Sequence, residues 1–326
     1  MAVALACSVS IEAILWHPDG RDEEIDLGEP KRRRLAKDQL LWVDLESADD
    51  DERHSVTTAL GLSDDASEAL RSKLSTPDAR VLEGAVEIDV LSVSDGKELE
   101  PVPLQILMGR EWIVTRHEAP LPYLAKHRDR LRDERQIGLL KPVEFLVSVL
   151  DWHVDSFFAA ADELEHKVDE LDEAALRRDD DLLQVLVAMR RRIAKVRRIV
   201  GRHREVFAEL VRPDFLADVD EAQSRALAHE AERLTRAADA VSHVREMLIG
   251  TFDVHMTRTA QRTNDIMRVL TWTSVILLPG VVLAGIMGMN FKVGLFDNPN
   301  LFWVVIGFML FTAVVTLVVA RWRGWL

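Results

Sequence analysis

Two stretches near the end of the chain contain no charged residue: Val269 to Met289 and Leu301 to Ala320. Each holds about 20 residues, the length an α-helix needs to cross a hydrocarbon core of roughly 30 Å. A soluble core helix rarely stays uncharged on every face for so long, because one face normally meets water. Both stretches are therefore predicted transmembrane helices. The connection between them, 291–300, is short, so they form an antiparallel hairpin with both long flanks on one side. Arg258, Arg262 and Arg268 precede the first span, Arg321 and Arg323 follow the second, and the loop carries only Lys292. The positive-inside bias places both termini in the cytosol of a multi-pass protein of the cell (inner) membrane. Trp272, Trp322 and Trp325 fall near the inner interface and Trp303 near the outer one, as amphipathic anchors.

Ahead of the spans the pattern is that of a folded body. Short apolar or alternating runs predict strands at Ser10–Trp16, Leu40–Leu45, Ala85–Val93, Val102–Met108 and Glu111–Arg116. Turn signals such as Asp95-Gly96 and Gly109-Arg110 separate some of them. Helical periodicity predicts helices at Asp49–Leu60, Ser63–Leu74 and Leu121–Gln136. Residues 1–140 thus read as a cytosolic domain mixing strands and helices. From Pro142 the pattern is wholly helical. An acidic stretch, Asp151 to Asp181, is followed by a basic one, Arg190 to Arg204, with a break near Leu176 to Asp181. This predicts an antiparallel hairpin over 141–212. Mutual ion pairing along it is the simple reading. The alternative is an electrostatic element that holds or guides cations near a pore mouth. Pro213 ends the hairpin. From Val219 to Gly288 the only proline is Pro279, which predicts one helix of roughly 70 residues and about 105 Å. Residues 213–290 therefore read as a stalk that continues into the first span (269–289), packed against copies of itself. The second span occupies 301–320, and a basic cytosolic tail 321–326.

Composition narrows the function. The chain has 326 residues, 48% of them hydrophobic, and a formal net charge of -14. Such an acidic chain repels phosphate backbones, so nucleic acid is not an expected partner. A surplus of carboxylates suits the handling of cations, although it also serves plain solubility. The single cysteine, Cys7, excludes a disulfide within the chain and fits a reducing compartment. The apolar run Ala2 to Ala6 lacks a basic flank and is too short for a signal sequence; it reads as the approach to the first strand. No phosphate loop, nucleophile elbow, paired-Cys signature or nucleophile–base arrangement is present, so an enzyme is not expected. No prosthetic group is expected either.

The first span ends Gly285-Ile286-Met287-Gly288-Met289-Asn290-Phe291. Gly288-Met289-Asn290, at the outer end of the first of two C-terminal spans, resembles the signature of CorA-type metal ion transporters. The resemblance extends to Asn264-Asp265-Ile266-Met267-Arg268-Val269-Leu270-Thr271 and Leu278-Pro279, like the family's approach to its pore. It also covers Leu104 to His117, like its strand pair, and the basic end Arg321-Trp322-Arg323-Gly324-Trp325. The resemblance implies an α+β cytosolic domain with a long stalk helix and two C-terminal transmembrane α-helices, assembled as a funnel-shaped homopentamer in lipid. First spans would line the pore, with the Gly288-Met289-Asn290 collar at its mouth. Asp253, within Phe252-Asp253-Val254, lies near the family's acidic ring at the cytosolic entrance. Arg321 and Arg323 resemble the basic collar of the inner mouth, which positive-inside anchoring also explains. Regulatory divalent ions bridge subunits in this family. An ungapped count puts His229 at one expected ligand, and Glu87 and Asp89 are candidate partners.

The residues support this reading in their own right. Asn264, Met267, Thr271, Ser274, Leu278, Val281 and Gly285 recur on one helical face. That face is small, weakly polar or apolar, and uncharged. Mg2+ sheds water reluctantly, so its pore passes it largely hydrated. Carboxylates in the bore would hold it too tightly to let it leave. Asn290 amide oxygens could hydrogen-bond the ion's water, and Met267 and Leu278 could gate by dewetting. Ordinary helix packing, with Ala284 and Gly288 as a small-residue contact, uses the same face.

Two departures bear on the cation. Magnesium-specialised members often carry an acidic Met-Pro-Glu segment after the signature; here it is Phe291-Lys292-Val293-Gly294-Leu295-Phe296-Asp297-Asn298-Pro299. Lys292 repels cations, and a neutral His229 suits zinc, cobalt or nickel better than magnesium. The expected function is a divalent cation channel, Mg2+ uptake with Co2+ and Ni2+, gated by cytosolic divalent ions. The alternatives are a ZntB-like zinc transporter, coupled or not to protons, and a membrane-anchored oligomeric scaffold.

Overall fold

The computed structural model describes residues 11–18, 21–27, 35–36, 38–73, 76–93, 100–133, 141–176, 182–216, 218–289 and 300–322. Cys7, Asn290, the 291–299 loop and Arg323 lie outside them. The chain divides into two compact units, Met1–Phe252 and Asp253–Leu326.

The first unit is built on a mixed sheet. Its strands are β1 (Ile11–Trp16), β2 (Asp22–Glu24), β3 (Leu40–Glu46), β4 (Asp78–Leu82), β5 (Ala85–Val93), β6 (Pro101–Met108) and β7 (Trp112–His117). They lie in the order β2-β1-β3-β7-β6-β5-β4. Only β3 and β7 pair in parallel among them, with Trp42 opposite Ile113; the other neighbours are antiparallel. β5, β6 and β7 form a meander because Gly109 closes a tight turn. A Cβ there would sit 2.4 Å from the Trp112 ring. The two edge strands β2 and β4 carry no apolar alternation that sequence patterning could detect. β2 is Asp-Glu-Glu and wholly exposed, so backbone pairing with β1 is what makes it a strand.

Helices cover both faces of this sheet. α1 (Asp50–Leu60) and α2 (Asp64–Arg71) follow β3. Asp49 and Glu52 form a reciprocal capping box at the start of α1, Gly61 ends it in the left-handed region, and Ser63 caps α2. Their Val56, Ala59, Ala69 and Leu70 bury against Leu41, Val43 and Leu45 of β3. On the opposite face Trp42 meets His127 of α3 (Pro122–Asp133) and Phe145 of α4 (Pro142–Leu176). The alternation of β3 thus sends Leu-Val-Leu to one layer and Trp42 to the other. A buried polar seam joins the second layer to the sheet: Ser92 bonds Tyr123 at 2.7 Å and His153 at 3.2 Å, and Leu91 N–H donates to His203 Nε2.

α5 (Leu182–Leu210) follows α4, and the turn at Arg212–Leu216 leads to α6 (Glu221–Met287). α4 and α5 meet mainly through apolar residues. Val154, Phe157, Ala161 and Leu164 of α4 and Leu186, Met189, Ile193, Val196 and Val200 of α5 are buried. Arg192 lies 3.8 Å from Glu163. Mutual ion pairing is therefore not the organising contact of this pair. The buried seam is apolar, and most arginines of α5 stand on its exposed side.

The second unit contains the C-terminal part of α6 and α7 (Asn300–Trp322). α6 runs unbroken through Pro279. In the most apolar windows of α6 and α7 no residue is buried within the chain. That much apolar surface has no place in water, so lipid or further copies of the chain must cover it.

Candidate functional site

The seven residues of the predicted pore face all lie on the continuous helix α6, and all seven are exposed in the single chain. Met267 is 54% exposed, Leu278 64% and Val281 66%. The half-buried positions of the same span are Trp272, Ile276, Gly280, Leu283 and Met287, which recur at helical spacing on the opposite side. They pair with a half-buried stripe of α7: Val305, Met309, Thr312, Ala313 and Thr316. A Cβ on Gly280 would stand 2.9 Å from Met309 Cε, so the absence of a side chain there lets the two helices approach. The second span therefore covers one side of the first and leaves the uncharged face open.

Hydroxyls on that helix are turned inward. Thr271 Oγ1 donates to the Met267 carbonyl at 2.7 Å and Ser274 Oγ to the Leu270 carbonyl at 2.9 Å. Each hydroxyl thus spends its proton on the backbone and keeps lone pairs. Such a surface accepts hydrogen bonds from the water shell of a cation without presenting a charge that traps it. At the end of the span, Gly288 N–H still reaches the Ala284 carbonyl at 2.9 Å, and the helix closes in a tight turn at Gly288-Met289. Asn290 follows, outside the described residues.

The candidate regulatory residues are more scattered. Glu87 and Asp89 share one side of β5, two residues apart. Glu87 is 1% exposed. It accepts from Gln105 Nε2 at 2.7 Å and pairs with Arg80 of β4 at 2.8 Å. Burial, together with the charge of Glu87, pushes the Asp89 carboxyl up to about 7, against the opposing pull of Arg80. Asp89 Oδ1 is buried with no hydrogen-bond partner. A shallow cavity of about 310 Å³ opens beside Glu87, lined also by Asp65, Glu68 and Arg80. His229 lies on the exposed side of α6 and does not line it. Among the described residues, no group of three or more His, Cys, Asp or Glu is placed to hold a metal ion within one chain. Asp253 is exposed on α6, and Arg321 is exposed in the last turn of α7.

Two features escaped the sequence reading. Arg80 sits in a strand too polar to detect, yet it is the counterion of the buried Glu87. Arg233 of α6 gathers Asp151 and Asp155 of α4 and Glu230 of its own helix, and stacks 6.0 Å over Phe158. Only the packing of α4 on α6 brings these side chains together.

A mixed α/β body, a helix of 67 residues and a C-terminal pair of apolar helices define a membrane protein of the two-span metal-transporter class. Residues 37–321 match the family described as CorA-like Mg2+ transporter protein, and the chain belongs to that family. Its members are membrane transporters of divalent cations, not enzymes. The chain is 27% identical over 236 residues to the cobalt/magnesium transport protein CorA of Thermotoga maritima, covering 70% of this chain and 66% of that protein. The full-length structure of the CorA magnesium transporter from Methanocaldococcus jannaschii superposes with a TM-score of 0.82 at 19% identity, over 96% of this chain and 98% of that one. The ZntB cytoplasmic domain from Vibrio parahaemolyticus is also similar in fold, with a TM-score of 0.63 at 10% identity, over 78% of this chain and all of that one (100%).

Proposed function

We propose that five copies of this chain form a channel in the cell membrane that admits Mg2+, and with it Co2+ and Ni2+, to a cytosol holding both termini. The observation that carries this reading is the division of α6 into two faces. One packs on α7; the other, from Asn264 to Gly285, is uncharged and exposed in the single chain. Five such faces around an axis would enclose a path for a hydrated ion. Gly288, Met289 and Asn290 would form its outer collar, and Asp253 an acidic ring that concentrates cations at the inner mouth. Arg321 and Arg323 would anchor the tail at the inner interface. Membrane potential would supply about 2.3 kcal/mol per charge per 100 mV.

Cytosolic divalent ions would close the channel. Each copy brings a formal charge of -14, so packed cytosolic domains repel one another unless cations lie between them. Glu87 and Asp89 face that task with one carboxylate already neutralised by Arg80, which makes Asp89 the stronger ligand of the two. A site completed by His229 of another copy would favour zinc, cobalt or nickel. Zinc transport is the second reading, supported by that imidazole and by Lys292 in the outer loop.

Liposome flux tests both readings. Mg2+, Zn2+, Co2+ and Ni2+ are supplied in parallel, with and without a pH gradient. Mg2+ entry that needs no proton gradient and disappears in Asn290→Ala is the expected result. Flux of Zn2+ alone, driven by protons, selects the second reading. Unchanged flux in Asn290→Ala leaves only the scaffold.

A further inference from the structure

The arginines of α5 do more than solubilise a helix. Arg190, Arg191, Arg197, Arg198 and Arg204 lie on one side of α5 and, with Arg245 of α6, border a groove of about 750 Å³ between the two helices. Its floor is small: Ala194, Gly201 and Ala238. A Cβ built on Gly201 meets nothing within 4 Å, so the space above it is open. Among the described residues no carboxylate lines this groove. Among the described residues none of these six guanidinium groups forms an ion pair, although the chain as a whole carries a net charge of -14.

That arrangement is selective in its chemistry. The arginines fall in rungs seven residues apart (190/191, 197/198, 204), about 10 Å per step along the helix. Like charges held along one edge repel one another until an anion lies between them. Arginine is the side chain that grips phosphate oxygens in pairs of parallel hydrogen bonds. A single inorganic phosphate would span one rung; a chain of phosphates spans more. The volume also falls within the range of small-ligand sites, roughly 300–1,000 Å³.

We propose that the groove between α5 and α6 binds a polyphosphate anion, a triphosphate chain carried either by a nucleoside or by inorganic polyphosphate. Chelated Mg2+ cancels two of the chain's negative charges and occupies oxygens that the arginines would grip. The groove therefore prefers the metal-free chain, whose concentration rises as Mg2+ becomes scarce. In a Mg2+ channel this would report depletion to the cytosolic domain, a consequence that rests on the transport reading; binding itself does not.

The test is equilibrium binding to the full-length protein in detergent. Inorganic tripolyphosphate and ATP are titrated in parallel, each with EDTA and with excess Mg2+. Saturable binding of one anion per chain is expected, weaker in Mg2+. The pair Arg197→Gln and Arg245→Gln should weaken it about tenfold or more, from lost charge-assisted hydrogen bonds. Arg225→Gln, an exposed arginine outside the groove that pairs with Glu221, should leave it unchanged. Equal affinity for both probes identifies the phosphate chain as the recognised part; tighter ATP binding adds the nucleoside. Melting curves confirm that the variants, altered only at exposed side chains, remain folded. Absence of saturable binding, or equal weakening by Arg225→Gln, overturns the proposal. So does dissociation of the oligomer in the groove variant, which would mean that the acidic side of α4 from a second copy fills the groove.

Discussion

Asp89 offers the sharpest test of how charge is held in the cytosolic body. Its carboxyl is pushed up to about 7 from its ordinary 3.8, first by burial and then by Glu87. The folded protein therefore prefers Asp89 protonated, whereas the unfolded chain ionises it near 3.8. The stability tied to this group is fully present below about pH 4 and is lost as pH rises through about 7. At about 1.4 kcal/mol per pH unit the full loss is about 4 kcal/mol. Partial exposure to solvent reduces it to about 2 kcal/mol. Asp89→Asn removes the charge at constant shape, and Asp89 Oδ1 has no hydrogen bond to lose. For a unit of this size about 2 kcal/mol corresponds to a melting shift of about 4–8 °C. The assay is thermal melting of the full-length protein in detergent and EDTA, from pH 4.5 to pH 8. Asp89→Asn should melt higher than the parent at pH 8, with the gap closing toward pH 4.5. Added Mg2+ should raise the parent at pH 8 and the variant less, if this carboxylate takes the regulatory ion. A variant that melts lower at pH 8, or a gap that ignores pH, refutes the reasoning.

Three further outcomes are expected. Arg233→Met should destabilise the first unit by about 3 kcal/mol, because it leaves Glu230, Asp151 and Asp155 facing one another without their cation; a urea midpoint within error of the parent would exclude this. Burial lowers His153 well below its usual range and His203 to about 4. Both are neutral in the fold, so each contributes stability that is present above about pH 6.5 and is lost as pH drops; for His203 about 2 kcal/mol should be gone at pH 5, read in the Asp89→Asn background, where the opposing carboxyl is removed, as a lower urea midpoint than at pH 7. Gly280→Leu should push Met309 aside and loosen α7 from α6, read as faster proteolysis between the two spans, while Gly280→Ala should be tolerated because the end of a methionine side chain can move.

The elements that the chain's patterning announced are those with one strong physical signature. Val269–Met289 and Leu301–Ala320 are uncharged on every face; the first lies in α6 up to its end at Met287, and the second lies within α7. β5 coincides with its predicted bounds, Ala85–Val93, because both its faces are covered and its apolar run is nearly continuous. The long helix was legible in the same way, from helical spacing uninterrupted by any proline but Pro279. β2 and β4 were not, since an edge strand can be made of polar residues when its neighbour supplies the hydrogen bonds.

Local sequence therefore determined the membrane spans, the long helix, the covered strands and the uncharged stripe ending at Gly285, because each depends on which residues neighbour one another along the chain. Tertiary structure alone decided that α7 covers the side of the helix opposite that stripe and which counterion neutralises Glu87. It also decided that five arginines of α5 line an open groove against α6, while Arg192 reaches Glu163 of α4. Those outcomes depend on how elements far apart in sequence pack, and charge along a chain specifies a partner only once packing has brought one within reach.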